Sequence, residues 1–191
     1  MIDYSFEAFK DRKTIITGDV GTGKTVLTKR LLEIAIDMGE QITVLDFAPK
    51  RDTIKGFEVG GHLLDESKLR VRHLKSEDIK TPRLSAESPE QLLSYADYNK
   101  DITSHLIEKF LEEPTSTLFI NDVSIHLQRG ELDPILKAVA RAETVIINGY
   151  MGVQLRPDQG TGISERENFL MQRLAAKLDR EINLKNNPKV N

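Results

Sequence analysis

A glycine-rich stretch near the N-terminus lies between a β-branched run and an amphipathic run of residues. Residues 18–25 read G-D-V-G-T-G-K-T and directly follow T-I-I-T at residues 14–17, which has the composition of a short buried strand. Apolar residues then recur every three or four positions over residues 24–38, and this period predicts a helix. Gly39 follows, where glycine can close the helix in a left-handed conformation. A strand, a tight turn and a helix in direct succession predict an α/β protein.

Short apolar runs alternate with helical patterns along the rest of the chain. We predict further strands at residues 41–45, 71–74, 117–120 and 144–147. We predict further helices at residues 89–112, 132–142 and 164–182. The polar residues 97–101 leave open whether the first of these helices is continuous. Strands that are apolar throughout are typical of a parallel sheet covered by helices on both faces. The sequence therefore predicts a three-layer αβα fold with a mostly parallel central sheet.

Local signals set the expected ends of these elements. Ser88 is a predicted N-cap, and Ser164 with Glu167 matches the S-x-x-E capping box. Residues 148–162 contain four glycines and a proline, which predicts a loop. The chain shows no internal repeat, low-complexity segment or linker. We therefore predict a single domain over residues 1–185, followed by a loose tail at residues 186–191.

Composition excludes several classes of site and partner. The chain has 191 residues, of which 27 are Lys or Arg and 30 are Asp or Glu, so its formal net charge is −3. The absence of cysteine excludes disulfide scaffolds, cysteine zinc sites and thiol nucleophiles, and the histidines show no metal-ligand spacing. The slightly acidic balance disfavours a nonspecific nucleic-acid or membrane-surface binder. No uncharged apolar stretch approaches the ~20 residues of a membrane-spanning helix, so we expect a cytoplasmic protein without a membrane partner.

The glycine-rich stretch matches a phosphate-binding pattern at every position. Residues 18–25 fit G-x-x-x-x-G-K-[ST] in full. Glycines allow successive backbone N–H groups to turn inward around phosphate oxygens, and the following helix presents its positive end there. Lys24 is expected to reach the β- and γ-phosphates, and the Thr25 hydroxyl to bind Mg²⁺. The predicted nucleotide-binding residues are Gly18, Asp19, Val20, Gly21, Thr22, Gly23, Lys24, Thr25 and Val26.

An acidic residue at the end of another strand is expected to complete the magnesium site. Asp122 comes just after the strand predicted at residues 117–120, and a carboxylate there is expected to hold Mg²⁺ through water. A turn or helix cap is the alternative role for an aspartate at such a position. The chain has no guanine-reading N/T-K-x-D string, so ATP is favoured over GTP. The predicted cofactors are therefore ATP and Mg²⁺.

The chain resembles phosphate-loop proteins of the RecA type and, distantly, the ATP:corrinoid adenosyltransferases among them. Besides the loop, the resemblance rests on L-D-F at residues 45–47, followed by Lys50, and on residues 118–149. That second stretch contains a strand, a short helix and a strand that ends at a glycine. Two predicted strands lie between the loop and Asp122. This spacing resembles the branch of phosphate-loop proteins that has an extra strand between the strand before the loop and the strand that ends at the acidic residue. The resemblance implies a RecA-like fold that binds ATP.

Three features depart from the adenosyltransferase pattern. The loop of those enzymes is one residue shorter and binds ATP in reversed polarity, whereas Gly18 gives this loop its full length. Ordinary polarity, with the γ-phosphate near Lys24, is therefore favoured. Val123 stands where those enzymes have glutamate, and residues 165–191 have no counterpart in their C-terminal segment. The resemblance thus supports the fold more than the adenosyl-transfer reaction.

Three residues are candidates for catalytic roles on ATP: Lys24, Glu131 and Asn148. Hydrolysis needs a group that orients or deprotonates water, and Val123 cannot do so. Glu131 or the nearby Asp133 could act from the next loop, although both also suit the first turn of a helix. Asn148 ends the neighbouring strand, where it could contact the γ-phosphate or its water. Its alternative role is a turn with the glycine that follows.

The sequence leaves three functions open. The first is a Mg²⁺-dependent ATPase with slow intrinsic hydrolysis, because Val123 provides no base. The second is an ATP-dependent transferase that moves an adenosyl group to a corrinoid, or a phosphoryl group to a small molecule. Its acceptor pocket would be formed by residues 47–64 and 149–162. The third is a nucleotide-controlled module that binds a protein partner without useful catalysis.

Several basic residues have more than one role open. Lys50 and Arg51 follow a strand at the edge where ligands bind in open α/β sheets, and Arg156 lies in a glycine-rich loop that could close over a nucleotide. Solvated surface charge is the alternative for each of them. RecA-type domains often assemble so that a neighbour's arginine completes the site. A homo-oligomer that uses Arg129 or Arg141 in this way is a further alternative.

Overall fold

Eight strands form two sheets in the structure, a computed structural model that describes residues 5–64 and 71–184. The strands are β1 (Lys13–Gly18), β2 (Ile42–Asp46), β3 (Asp52–Ile54), β4 (Phe57–Val59), β5 (Val71–Lys75), β6 (Thr117–Asn121), β7 (Thr144–Tyr150) and β8 (Arg180–Leu184). Six of them form the central sheet in the order β5-β2-β6-β7-β1-β8, and every neighbouring pair is parallel. Strands β3 and β4 form a separate antiparallel hairpin.

Helices cover both faces of the central sheet. They are α1 (Lys24–Asp37), α2 (Pro82–Ser85), α3 (Pro89–Glu112), α4 (Val123–Leu127), α5 (Leu132–Ala140) and α6 (Ile163–Ala175), with a 3₁₀ turn at Phe6–Ala8. One core packs helices α3 to α6 against side chains such as Leu118 and Ile120, and the other packs α1 and the 3₁₀ turn against Phe119. Successive residues of a strand point to opposite faces, so β6 contributes to both cores. The predicted three-layer α/β architecture with a parallel sheet is confirmed.

Helix α3 is continuous through the polar segment that left its continuity open. Ser88 caps it as predicted, since its side chain accepts a hydrogen bond from a first-turn N–H at 3.2 Å. Two polar side chains in the middle of the helix, Asn99 and Thr103, are buried and hydrogen-bonded, while the charged residues of the segment lie at the surface. The Asn99 amide bonds both backbone groups of Lys80, and the Thr103 hydroxyl lies 2.7 Å from Nδ1 of His126. Tertiary partners therefore stabilise the segment in the helix.

The C-terminal helix is shorter than predicted. Helix α6 ends at Ala175, and Ile182 lies on strand β8, which pairs in parallel with β1. The pattern at residues 164–182 predicted one helix because the apolar spacing continues through it by coincidence, but Ile182 packs in the core of the α1 face. Among the described residues, no helix combines the length and apolar character needed to cross a membrane. The tail predicted at residues 186–191 lies outside the described residues.

The capping box predicted at the start of α6 is wrong. Gly162 precedes the helix in a left-handed conformation with a φ of 78° and has no side chain that could cap the first turn. The N–H of Ser164 donates instead to the carboxylate of Asp158 at 3.1 Å. Glu167 does not bond the helix start, because its side chain is buried against Arg83. Asp158 therefore accepts the first-turn N–H, and Glu167 belongs to a buried ion pair.

The β3–β4 hairpin was not predicted, and it lies on the same side as the glycine-rich loop. Its two-residue turn places Lys55 and Gly56 at φ values of 51° and 82°, which matches the twist of paired antiparallel strands. Gly60 fixes the base of the hairpin, because a Cβ there would lie 2.4 Å from the carbonyl oxygen of Pro49. Strand β7 also extends to Tyr150, into the segment predicted as a loop from residue 148.

Candidate functional site

The loop at residues 18–25 connects β1 to α1 through a tight, glycine-dependent path. Gly21 and Gly23 have φ values of 74° and 89°, which other residues adopt only with strain. A Cβ on Gly18 would lie 2.5 Å from the carbonyl oxygen of Leu184, so strand β8 packs directly against the loop. No side chain caps the first turn of α1. The N–H groups of that turn and the positive end of the helix are therefore available to an anion.

Lys24 lies at the first position of α1 and reaches back across the loop. Its Nζ donates to the carbonyl oxygen of Asp19 at 2.7 Å. Burial lowers the pKa of Lys24, and the charges of Asp122 and Asp19 oppose this effect. The partly buried ammonium is therefore hydrogen-bonded to a neutral carbonyl. An anionic ligand would bind it more strongly and could replace that carbonyl.

The Asp19 carboxylate joins the loop to the segment that follows β7. It accepts hydrogen bonds from the N–H of Val20 at 2.8 Å, Val153 at 2.9 Å and Gln154 at 3.3 Å. Gly152 is in close contact with it, since a Cβ there would lie 2.3 Å from the carboxylate carbon of Asp19. The sequence pattern predicted Asp19 only as a residue of the nucleotide-binding loop. Its side chain also fixes the segment that covers one side of the loop.

Asp122 lies at the carboxyl end of β6, in a left-handed backbone conformation with a φ of 55°. The Ser124 hydroxyl donates to its Oδ1 at 2.6 Å. Burial raises the pKa of Asp122, while this hydrogen bond and the charges of Lys24 and Arg83 lower it. Strand β7 lies between β1 and β6, so the loop and Asp122 occupy the same edge of the sheet one strand apart. The strand between them, β7, follows Asp122 in the chain and is neither of the two strands predicted between the loop and Asp122.

Asn148 holds three elements together at this edge. Its Oδ1 accepts the N–H of Asp122 at 2.9 Å, and its Nδ2 donates to Thr28 Oγ1 at 3.0 Å and to Asn121 Oδ1 at 2.9 Å. These bonds use most of the hydrogen-bonding capacity of the side chain. Asn148 lies on strand β7 rather than in the turn considered as its alternative role. It positions Asp122 by holding the backbone at the start of α4.

A cavity of about 150 Å³ brings six of the twelve predicted site residues together. Its walls include Val20, Gly21, Lys24, Thr25, Asp122 and Asn148. Thr25 and Asp122 offer a hydroxyl and a carboxylate in one cavity, which are oxygen ligands that suit Mg²⁺. Within residues 5–64 and 71–184, no group of three or more histidine or carboxylate side chains could hold a metal ion. A bound Mg²⁺ would therefore take its remaining ligands from phosphate oxygens and water.

Glu131 and Val26 lie away from this cavity. The Glu131 carboxylate is 76% exposed and pairs with Arg166 at 2.9 Å. Its backbone carbonyl lies 3.1 Å from Nε2 of His126, which holds the start of α5 in place. Val26 is 74% exposed on the outer side of α1. The structure thus assembles Lys24, Thr25, Asp122 and Asn148 without Glu131.

We expect the free energy of unfolding to fall as the pH drops from about 6.5 to about 4, because His126 is buried as the neutral imidazole. Burial lowers the pKa of His126 from 6.5 to about 4. A group with a lower pKa in the folded state contributes its stability above the unfolded pKa and loses it as the pH falls toward the folded value. The loss should reach about 3 kcal/mol.

Urea unfolding at about pH 7.5 and about pH 4.5 measures this loss. The variant His126→Gln should show a shallower dependence on pH than the wild type, because it has no imidazole to protonate. His105→Gln, which changes an exposed histidine on α3, should keep the wild-type slope. Equal slopes for His126→Gln and the wild type would contradict the assignment.

Arg83, which lines the cavity, belongs to a buried ion pair that the sequence did not reveal. Arg83 donates from Nη1 and Nη2 to the two carboxylate oxygens of Glu167, each at 3.0 Å, and the two side chains are 6% and 2% exposed. The Gln128 amide adds a bond to Glu167 at 2.9 Å. The Arg83 guanidinium also lies 5.2 Å from the ring centre of Tyr150. The local sequence pattern predicted that Glu167 caps the start of α6, whereas its side chain forms this ion pair.

A second buried cluster surrounds Asp46 at the end of β2. Its carboxylate accepts from Asn121 Nδ2 at 2.7 Å and from the N–H of Leu63 at 2.8 Å, and it lies 3.1 Å from His73 Nε2. Nδ1 of His62 lies 3.4 Å away. Burial would raise the pKa of Asp46, but these partners outweigh it and hold the pKa at about 2. Spacing along the chain gave no sign that the two histidines converge.

Comparison with known proteins does not add a relative to these observations. No protein-family model matches the chain, and no curated protein matches it. The loop, its neighbours and the cavities beside them are therefore the features from which a function is inferred.

Proposed function

We propose that this protein binds ATP with Mg²⁺ through residues 18–25 and hydrolyses it slowly. One observation carries the proposal: Lys24 and Thr25, at the start of α1, share a cavity with Asp122, which follows β6 two positions across the sheet from β1. A glycine-dependent loop, a lysine, a hydroxyl and a carboxylate at one sheet edge match the groups that a magnesium-bound triphosphate requires. The match of residues 18–25 to the full phosphate-loop pattern supports the same assignment.

Each residue has a defined role in this proposal. The loop N–H groups and the first turn of α1 bind phosphate oxygens, and Lys24 exchanges the Asp19 carbonyl for the β- and γ-phosphates. Thr25 and Asp122 hold Mg²⁺, which neutralises charge on the phosphates. Burial of Lys24 and Asp122 strengthens these interactions, because the effective dielectric constant is lower than in water.

Slow hydrolysis is proposed because no buried base that is free to act on water lines the cavity within residues 5–64 and 71–184. Val123 follows Asp122 and is fully buried in the core, and Glu131 is paired with Arg166 away from the cavity. Two carboxylates line the cavity among the described residues: the half-buried Asp122, which is assigned to the metal, and the exposed Glu58 on β4. Water in the cavity is therefore oriented without strong activation.

Analysis of the products formed from ATP and Mg²⁺ tests this function directly. The purified protein should release ADP and phosphate slowly, and Lys24→Ala should not. Rapid phosphate release would contradict slow turnover, whereas intact ATP that remains tightly bound would favour the nucleotide-controlled binding module. The absence of both binding and hydrolysis would reject the proposal.

Replacing Asp122 with asparagine is expected to move the magnesium dependence of nucleotide binding to about tenfold higher Mg²⁺ concentration. The amide keeps the size of the side chain but loses the charge that attracts the cation. Calorimetric titration of ATP at several Mg²⁺ concentrations measures the shift. Asp133→Asn, on helix α5 and outside the cavity, is the matched control and should be unchanged. An unchanged magnesium dependence in Asp122→Asn would remove Asp122 from the metal site.

An ATP-dependent transferase is the second candidate, and the shape of the cavity favours it. The walls continue from the loop to residues 48–49 and 58–61 and to Tyr150 and Leu155, within the two segments from which an acceptor pocket was predicted. An acceptor that increases the loss of ATP would support this function over simple hydrolysis. The full-length loop, with Gly18 packed against Leu184, favours phosphoryl over adenosyl transfer.

A further inference from the structure

A second, larger cavity adjoins the same loop on its other side. It has a volume of about 600 Å³ and lies between the start of α1, the base of the β3–β4 hairpin and the end of the edge strand β5. This volume is in the range of small-molecule sites. Gly21, Lys24 and Thr25 belong to the walls of both cavities. A molecule bound here would therefore lie beside the phosphates of a bound nucleotide.

The walls of the second cavity are basic, although the chain as a whole is acidic. Among the described residues, they include five lysines and arginines against the two glutamates Glu58 and Glu77, whereas the whole chain has a net charge of −3. Lys50 and Arg51 form no hydrogen bond or ion pair with any other residue of the described ranges. Their charges remain available, and a concave basic surface concentrates an anionic ligand.

A buried histidine in this wall lies between two carboxylates, at distances longer than a good hydrogen bond. The His62 side chain is 9% exposed, its Nδ1 lies 3.4 Å from Asp46 and its Nε2 lies 3.5 Å from Glu77, and neither contact has hydrogen-bond geometry within residues 5–64 and 71–184. The neighbouring Asp46 raises the pKa of His62, which favours the cationic ring. A buried cationic donor with contacts this long would be stabilised by an oxyanion that approaches it more closely. This feature separates the cavity from a set of solvated surface lysines.

A carboxylate of the chain itself already contacts the cations of this wall. Oε1 of Glu77 lies 2.6 Å from Nζ of Lys75 and 3.5 Å from Nε2 of His62. The Glu77 side chain is 56% exposed, so little buried surface would be lost if it moved away from this position. The position of the Glu77 carboxylate marks a place between Lys75 and His62 where an oxyanion is bound.

We propose that the second cavity binds the phosphate group of a small second substrate, which Lys50, Arg51, Lys75 and His62 hold. An oxygen of that phosphate replaces Glu77 between Lys75 and His62, while Arg51 and Lys50 bind the others. The identification of the ligand as a second substrate rests on the proposed binding of ATP in the adjoining cavity. The binding of an oxyanion here does not.

Calorimetric titration with sulfate tests the site. Sulfate is a tetrahedral dianion that does not titrate near neutral pH, and the phosphate loop is first saturated with Mg²⁺ and a non-hydrolysable ATP analogue at constant ionic strength. One sulfate should bind per chain. The double variant Lys50→Gln/Arg51→Gln and the single variant His62→Gln should each weaken sulfate binding, the former by about tenfold. Lys55→Gln, at the turn of the same hairpin but outside the cavity, is the matched control.

The variant Glu77→Gln provides a test of opposite sign. Removing the competing carboxylate should strengthen sulfate binding by about threefold to tenfold. Glu58→Gln removes the same charge from another part of the wall and should have a smaller effect. No sulfate binding, equal binding by Lys50→Gln/Arg51→Gln and the wild type, or equal effects of the two glutamate variants would overturn the site.

Failure of the proposed ATP binding gives a different result from failure of the second site. If the ATP analogue does not bind, the sulfate titration is repeated without it. Stronger binding by Glu77→Gln and weaker binding by Lys50→Gln/Arg51→Gln would then still establish the oxyanion site, although not as a site for a second substrate. If the analogue binds and sulfate does not, the ATP site stands and the second site is rejected.

Discussion

Replacing Lys24 with alanine should reduce the affinity for MgATP by at least about a hundredfold, because two charge-assisted contacts to the β- and γ-phosphates are lost. The fold should be preserved, because the Lys24 ammonium forms a hydrogen bond only to the carbonyl of Asp19 among the described residues. Burial also lowers the pKa of Lys24 in the nucleotide-free protein, so removal of the charge relieves a desolvation cost. Titration calorimetry and thermal unfolding measure the two expected results separately.

A matched variant on the same helix separates a specific effect from a general loss of positive charge. Arg30 is exposed on α1 and does not line either cavity beside the loop. Arg30→Ala should therefore bind MgATP with nearly the affinity of the wild type. If Lys24→Ala also binds ATP like the wild type, residues 18–25 are not the nucleotide site and the proposed function is wrong.

Replacing Glu167 with alanine should destabilise the protein by about 3–5 kcal/mol. The change leaves the Arg83 guanidinium buried without its carboxylate partner, and it removes the acceptor of the Gln128 amide. An unpaired buried charge costs far more than a lost surface ion pair. Urea unfolding at neutral pH gives the difference in the free energy of unfolding.

Two controls define the origin of this effect. Glu165→Ala changes an exposed glutamate on the same helix and should alter stability by less than about 0.5 kcal/mol. The double variant Arg83→Met/Glu167→Leu should recover much of the lost stability, because apolar residues of similar volume remove both buried charges. Equal stabilities of Glu167→Ala and Glu165→Ala would show that the ion pair contributes little to the fold.

Features encoded in short segments were predictable. Residues 18–25 combine glycines, a lysine and a threonine at fixed spacing, and their position between a strand and a helix follows from local patterns. Asp122 was identifiable because it follows an apolar run of strand length. The parallel sheet was predictable because strands buried on both faces are apolar throughout. Each of these inferences needs only neighbours in sequence.

Features that depend on contacts between distant segments were not predictable. Asp46, His62 and His73 converge because the order β5-β2-β6 places their strands and loops together. Arg83 and Glu167 lie 84 residues apart, and the local pattern assigned Glu167 to a capping box. Periodicity also assigned Ile182 to a helix, although it lies on strand β8. The order of the strands in the sheet decides which of these residues meet, and a pattern of neighbouring residues carries no information about that order.

The sequence by itself determined the α/β layering, the glycine-rich loop and the acid at the end of β6, because each depends on residue types at short range. Only the tertiary structure decided which of the candidate residues meet. It brought Lys24, Thr25, Asp122 and Asn148 to one cavity and left Glu131 on the surface with Arg166. It also placed a basic cavity with a buried histidine beside the loop. The physical reason is that burial and charge pairing depend on the packing of strands and helices that are far apart in the chain.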